Sequence, residues 1–145
     1  IPSSRFGAVS FMRVRPQEIE DYGSYEYFTG MTGANPRWSK NHKHSQPIVP
    51  GPVGELSVIW NDYLGRWIMT YLNEEKKRIE IRESREPWGP WSSALELVSG
   101  REYPGLYGAF LHPDLNSGRG RVLYYTMSLW APYNVFVMRS EIQKR

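Results

Sequence analysis

Cysteine is absent from the 145 residues, which excludes disulfides and thiolate metal sites. Secreted proteins without cysteine exist, so the absence leaves the redox compartment open. Long apolar runs are missing too: none approaches the roughly 18 residues that a membrane helix needs. No segment keeps helical spacing for three turns, which argues against a helical architecture. Charge is not concentrated. The net value is +3, and its basic stretches "KNHKH" (Lys40 to His44), "EEKKR" (Glu74 to Arg78) and "SGRGR" (Ser117 to Arg121) are dispersed. Nucleic-acid binding wants one basic face, so these read as solvated loops, and neither a nucleic-acid nor a membrane partner is expected. No nucleophile elbow accompanies a Ser-His-Asp set. The opening "IPSSRFGAVSFMRV" has no initiator Met and no signal-peptide layout and enters a strand almost at once, so the expectation is part of a longer chain.

What is present is aromatic and turn-rich. Trp 6, Tyr 10 and Phe 5 bring the aromatic share to 14%, alongside Gly 13 and Pro 11. Such composition favours many short strands joined by tight turns. Period-2 alternation predicts strands over Ala8–Val14, Tyr25–Gly30, Glu55–Asn61, Arg66–Leu72, Arg78–Ser84, Ala94–Val98, Tyr107–His112, Arg121–Ser128 and Tyr133–Ile142. "NDYLG" (Asn61 to Gly65) reads as a hairpin turn in which Gly65 takes positive φ. "DLNSGRG" (Asp114 to Gly120) is a longer hairpin loop. Only "RPQEIEDYG" (Arg15 to Gly23) is helix-like, with Pro16 suited to a first helical position.

A weak repeat underlies these strands. An alternating apolar strand ends in Arg three times, at Arg13, Arg82 and Arg139, which favours one repeated structural bond. Trp-Ser followed by a short apolar strand occurs at Trp38 and again at Trp91, each read as a structural cover for its own unit. Four antiparallel strands in somewhat over 50 residues describe a propeller blade. The fold class expected is therefore all-β, with antiparallel four-stranded blades. Residues 55–98 would form one complete blade, 8–49 the outer part of the preceding one, and 107–142 a three-stranded part of the next. That is roughly two and a half blades, against four to eight in closed propellers. Each blade buries its apolar face only against neighbours, so missing N-terminal blades or self-association would complete the 145-residue unit.

"GPVGELSVIWNDYLGRWIMTYL", "RESREPWGPWS", "YPGLYGAFLHP" and "YYTMSLWAPYNVFVMR" together resemble the C-terminal half of the domain of unknown function 4185 family. The likeness runs over nearly the whole chain. The resemblance implies a five-bladed β-propeller related to arabinanase-like and fructosidase-like glycoside hydrolases. Some members resemble endo-acting hydrolases of D-arabinan, and such enzymes are usually exported, so a secreted location is implied. The family's catalytic acids lie largely in the first blades, outside this chain. The expected function is thus a fragment of a carbohydrate-active protein acting on arabinan-type polysaccharide and inactive alone. The alternative is a non-catalytic propeller that binds glycan or protein. No cofactor is expected, and a channel ion is left open.

Glycoside hydrolysis uses two carboxyl groups flanking the scissile bond. Glu55 opens a strand on which Glu55, Ser57 and Ile59 share one face, with Leu56, Val58 and Trp60 on the other. A carboxyl group among apolar neighbours suits a general acid, so Glu55 is the catalytic candidate. Its plain alternative is a pairing with an arginine or a cap on loop amides. Tyr107 and His112 occupy the matching strand of the next unit, where a channel His binds a sugar hydroxyl, helps to hold a central ion, or serves as a loop anchor before Pro113. Trp130 and Tyr133 flank a turn, where aromatic rings stack on sugar faces or pack on a neighbouring blade, and Asn134 offers both donor and acceptor. His42 and His44 lack a nearby third ligand; no metal site is expected there.

Overall fold

The structure, a computed structural model, describes residues 5–144; the first four residues of the stretch read above as continuing a longer chain lie outside them. Twelve strands form four antiparallel sheets. A two-stranded sheet pairs β1 (Val9–Ser10) with β5 (Pro47–Val49), and a three-stranded one runs β2 (Met12–Arg13), β3 (Glu26–Thr32), β4 (Asn35–Ser39). The four-stranded sheet follows chain order: β6 (Leu56–Asn61), β7 (Arg66–Asn73), β8 (Arg78–Ser84), β9 (Leu95–Ser99). The last contains β10 (Leu106–Leu111), β11 (Val122–Leu129) and β12 (Asn134–Glu141). The chain is all-β: among the described residues the only helical pieces are single 3₁₀ turns, of which Pro16–Glu18 lies inside the segment read as helix-like and Tyr22–Ser24 overlaps its end. No helix among the described residues is long and apolar enough to cross a membrane.

Two apolar layers hold the sheets together, and they meet on β7. Ile68 and Leu72 of β7 join Ile79, Val98, Leu106, Ala109, Leu111, Leu123, Tyr125 and Met127 in a core between the four-stranded and the last sheet. Met69 and Tyr71, pointing the other way, pack with Val49, Val53 and Trp91. This is why "IMTYL" is apolar almost without interruption, whereas β6 alternates: a strand covered on both faces has no solvent side to mark with polar residues. On β6, Ser57, Ile59 and Asn61 face the last sheet while Leu56, Val58 and Trp60 stay exposed. The far wall of the molecule is similar, for Val135 and Val137 on β12 are 68% and 64% exposed, and β12 is a sheet edge.

Polar groups buried on β7 and β8 are all accounted for. Glu80 is 1% exposed. It accepts hydrogen bonds from Tyr71 (2.7 Å), Asn73 (3.1 Å) and Arg78 Nε (2.8 Å), and Lys76 lies 3.5 Å away. Burial pushes its carboxyl up, but the hydrogen bonds from Tyr71, Arg78 and Asn73 outweigh that and bring it down to about 2. The Tyr71 phenol is pushed up to about 12, first by burial and then by its bond to Glu80. Its oxygen in turn accepts from Arg82 Nε at 2.8 Å.

Side chains also fasten the two larger sheets to each other. Thr70 Oγ1 donates to the Ala109 carbonyl (2.6 Å), Ser57 Oγ accepts from Leu111 N (3.1 Å), and Asn61 Nδ2 donates to the Gly120 carbonyl (2.8 Å). Asn61 Oδ1 meanwhile accepts from Leu64 N (2.9 Å), closing the "NDYLG" turn, where Gly65 sits at φ 63°. Gly120 has φ 93°, and a Cβ there would lie 2.6 Å from Asn61 Nδ2.

Three expectations change. The first strand is broken, because register shifts between Val9 and Ser10 and the chain passes from β5 to β3 as partner. Trp38 belongs to a strand absent from those predicted, cross-paired with Phe28; it contains Pro36, which is tolerated because β4 is a sheet edge. The three arginines do not repeat one bond. Arg13 lies 4.1 Å over the Trp38 ring and pairs with Glu26, and Arg82 donates to the Ser92 carbonyl, so two reach their own Trp-Ser element. Arg139 instead approaches Glu141 at 3.9 Å. Trp91 packs between sheets, a structural position as expected.

Because Glu80 is lowered on folding, its contribution is present above its ordinary carboxylate value and fades as pH falls towards about 2. Urea unfolding is expected to show stability declining between about pH 5 and pH 2. Glu80→Gln should be less stable at neutral pH by about 3 kcal/mol, with a flatter acid limb. A wild-type acid slope in that variant would contradict the assignment. Gly120→Ala, forced into both a left-handed backbone and the Asn61 amide, should cost about 2 kcal/mol in the same assay.

Candidate functional site at one end of the sheets

Antiparallel pairing sends alternate strand starts and ends to the same side of a sheet. The entrance of β6 thus lies beside the exit of β7, and the entrance of β10 beside the exit of β11; Arg5 bridges these two places, and there the candidate residues collect. Glu55 sits one residue before β6, its carbonyl accepting from Leu72 N at 3.3 Å. Tyr107 is the second residue of β10, paired with Ser128. Trp130 follows β11, its amide donating to Gly105 O at 3.0 Å.

Arg5 binds these parts to each other. Its Nε and Nη2 donate to Glu55 Oε1 at 3.0 and 2.6 Å, and Nη1 lies 3.8 Å from a carboxylate oxygen of Glu74. The guanidinium carbon is 5.7 Å from the Tyr107 ring centroid and 5.6 Å from that of Trp130, within the range of a cation–π contact. The two rings are 4.9 Å apart and tilted by 31°, and Tyr133 extends the row at 6.4 Å from Trp130. Tyr133 has φ 55°, a conformation that bulky residues rarely adopt, and is 76% exposed.

The structure thus brings Glu55, Tyr107, Trp130 and Tyr133 into one cluster. Asn134, the first residue of β12, adjoins it in the ladder, opposite Leu129. His112 does not join: it lies past the other end of β10 from Tyr107, ahead of the 3₁₀ turn Pro113–Leu115, with a buried Nε2 that has no hydrogen-bond partner. The environment expected for Glu55, apolar neighbours suited to a proton donor, is replaced by an arginine, the plain alternative. Glu55 Oε2 is buried and without a hydrogen-bond partner.

Arg5 and Glu74 escaped the sequence reading. Arg5 sits in "SSRFG", before any patterned strand, and nothing local marks a lone cation as the partner of an acid fifty positions on. Glu74 looked like one of several loop charges in "EEKKR". His42 and His44 lie in a 3₁₀ turn, where His44 Nδ1 is 3.2 Å from Ser39 Oγ and His42 meets the edge of Tyr27. Among the described residues no three His, Asp or Glu side chains converge as a metal site would require. A wider groove of about 820 Å³ between the β8–β9 side and the end of β12 is lined by Arg82, Glu83, Glu96 and Lys144 among others. No aromatic ring lines it, unlike the Arg5 cluster.

A family model described as Domain of unknown function (DUF4185) matches residues 1–139. Among curated proteins, Notoamide biosynthesis cluster protein J of Aspergillus sp. (strain MF297-2) is 32% identical over 130 residues, which is 87% of this chain and 33% of that protein. Two structures of exo-beta-1,3-galactanase from Phanerochaete chrysosporium with beta-1,3-galactotriose superpose with a TM-score of 0.49. Their identities are 11% and 10%, over 95% of this chain and 34% of theirs. The chain spans about a third of the length of each of these proteins.

The Arg5–Glu55 pair is partly solvated, with side chains 24% and 31% exposed, and such pairs contribute on the order of 1 kcal/mol or less. Glu55→Gln is expected to lower the melting temperature only slightly, with the difference shrinking in high salt. Loss of folding in that variant would instead make the pair a structural necessity.

Proposed function

The chain belongs to the family described as Domain of unknown function (DUF4185), and from that premise we propose that it is part of a carbohydrate-active β-propeller protein whose Arg5 cluster binds furanose polysaccharide of the arabinan type. In this reading residues 55–98 are a complete blade, and 8–49 and 107–142 are parts of its neighbours in a five-bladed ring. The exposed walls formed by Leu56, Val58 and Trp60 and by Val135 and Val137 support it, since blades bury such faces against one another. Export to the cell exterior accompanies the reading, as the family resemblance implies.

The observation that carries the proposal is the pair of rings, Tyr107 and Trp130, 4.9 Å apart against the Arg5 guanidinium that holds the Glu55 carboxylate. Aromatic faces stack on the apolar faces of sugar rings, and carboxylate oxygens accept from hydroxyls. Tyr133 and Asn134 lie next along the chain, where a polymer would continue.

The geometry favours binding over hydrolysis by this chain. Hydrolysis needs two carboxyl groups on either side of an open space that admits the glycosidic bond. Glu55 and Glu74 instead converge on one guanidinium. The second reading, in which Glu55 serves a hydrolase assembled with further blades, rests on its unpartnered Oε2.

Affinity electrophoresis in arabinan-containing gels should retard the chain, and Trp130→Ala should weaken the retardation roughly tenfold, the scale of one aromatic contact. Unchanged retardation in Trp130→Ala and Tyr107→Ala would remove this cluster from binding. Sugar release by the pure chain would overturn the non-hydrolytic reading. A full-length protein whose turnover drops in Glu55→Gln would favour the second.

A further inference from the structure

The backbone that carries the receiving half of the Arg5 cluster is anchored without Arg5. The Glu55 backbone is held by the Leu72 amide and the start of β6, and that of Glu74 follows the end of β7. Tyr107 is set in the β10–β11 ladder, and Trp130 hangs from Gly105. None of these anchors involves Arg5, which reaches Glu55 from fifty residues away in sequence, the others from farther still, and lies outside every strand. What they offer is a carboxylate whose one engaged oxygen is bonded by Arg5 alone, a second carboxylate, and two aromatic faces. That is the chemistry which recognises an organic cation: opposite charge for the ion pair, and ring quadrupoles for the alkylated or planar surface. With the Arg5 side chain removed, two carboxylates would face the rings with no positive charge between them, a state that draws in a counter-ion.

We propose that Arg5 is the resident occupant of a cation-accepting site formed by Glu55, Glu74, Tyr107 and Trp130, and that a guanidinium or alkylammonium group from another molecule takes its place. This goes beyond the glycan reading and does not rest on it. The ligand class is an organic cation small enough to lie over two rings, and the geometry of the fork on Glu55 Oε1, with Nε at 3.0 Å and Nη2 at 2.6 Å, favours the planar guanidinium over the compact ammonium. Arg5 competes from within the same chain, at an effective concentration in the millimolar range or above. The wild-type protein therefore answers only to a cation presented at higher concentration or with further contacts of its own.

The test is chemical rescue. Arg5→Ala is titrated with methylguanidinium, with methylammonium, and with the neutral isostere N-methylurea, while tryptophan fluorescence and melting temperature are recorded. Methylguanidinium is expected to saturate a fluorescence change in Arg5→Ala in the millimolar range, to raise its melting temperature, and to do neither in wild type over that range. Methylammonium should bind more weakly. Adding Glu55→Gln to Arg5→Ala should weaken the response roughly tenfold, as loss of a charge-assisted hydrogen bond does. The proposal is overturned if N-methylurea acts as well as methylguanidinium, if wild type responds equally, or if Arg5→Ala shows no saturable response. Should Arg5→Ala be unfolded, recovery of its tertiary signal on adding methylguanidinium supports the proposal, and failure to recover at any concentration rejects it.

Discussion

Strand β7 has no solvent-facing side, and the remaining architecture arranges itself around that fact. Ile68, Thr70 and Leu72 must meet the last sheet, while Met69 and Tyr71 must meet the segment around Val49 and Val53. A tyrosine buried in this way needs a partner for its hydroxyl, and Glu80, directly opposite in the ladder, supplies it. A buried carboxylate needs its own partners, and these are Arg78, Asn73 and Lys76. The sequence of obligations runs from one doubly covered strand through a phenol to a satisfied ion cluster. It leaves the ends of the same strands free to carry the groups that face outward.

Much of this architecture was legible in the residues, and the reason is periodicity. Alternation located β6, β10, β11 and β12, and the uninterrupted apolar run of β7 is the mark of two-sided burial. The "NDYLG" turn was readable from its glycine. What sequence could not give were partners far apart along the chain. Asn61 reads as a turn residue, yet it also ties the turn to Gly120 in the neighbouring sheet. Glu80 reads as one of several charges in "RIEIRES", and only the cross-strand neighbour Tyr71 and the local cluster around it make it the most buried acid of the fold. The strand containing Trp38 was absent from those predicted, and a local rule about proline cannot tell an edge strand from a loop.

The candidate site shows the same division. Residue type singled out Glu55, Tyr107, Trp130 and Tyr133, since acids and exposed aromatics near turns are uncommon and chemically expressive, and the fold gathers them at one end. It did not identify Arg5, whose meaning comes entirely from position. An arginine between a carboxylate and two rings changes the character of every group it touches. Glu55 becomes an acceptor with one oxygen engaged instead of an acid among apolar neighbours, and the aromatic pair already has a cation against it. His112, equally plausible by type, stands apart because β10 carries it away from Tyr107.

The exposed wall on β12 has a consequence for how the molecule behaves in a crowded solution. Val135, Phe136, Val137 and Met138 follow one another without a charge, on a strand whose outer backbone groups have no partner among the described residues. Arg139 and Glu141 sit only at its far end, too late to interrupt the run. Such an edge is a template for strand addition by any chain that arrives with matching alternation. Those four residues are thus where the edge is open to another strand, and a lysine in place of Val137, 64% exposed, would put a charge there without touching the core.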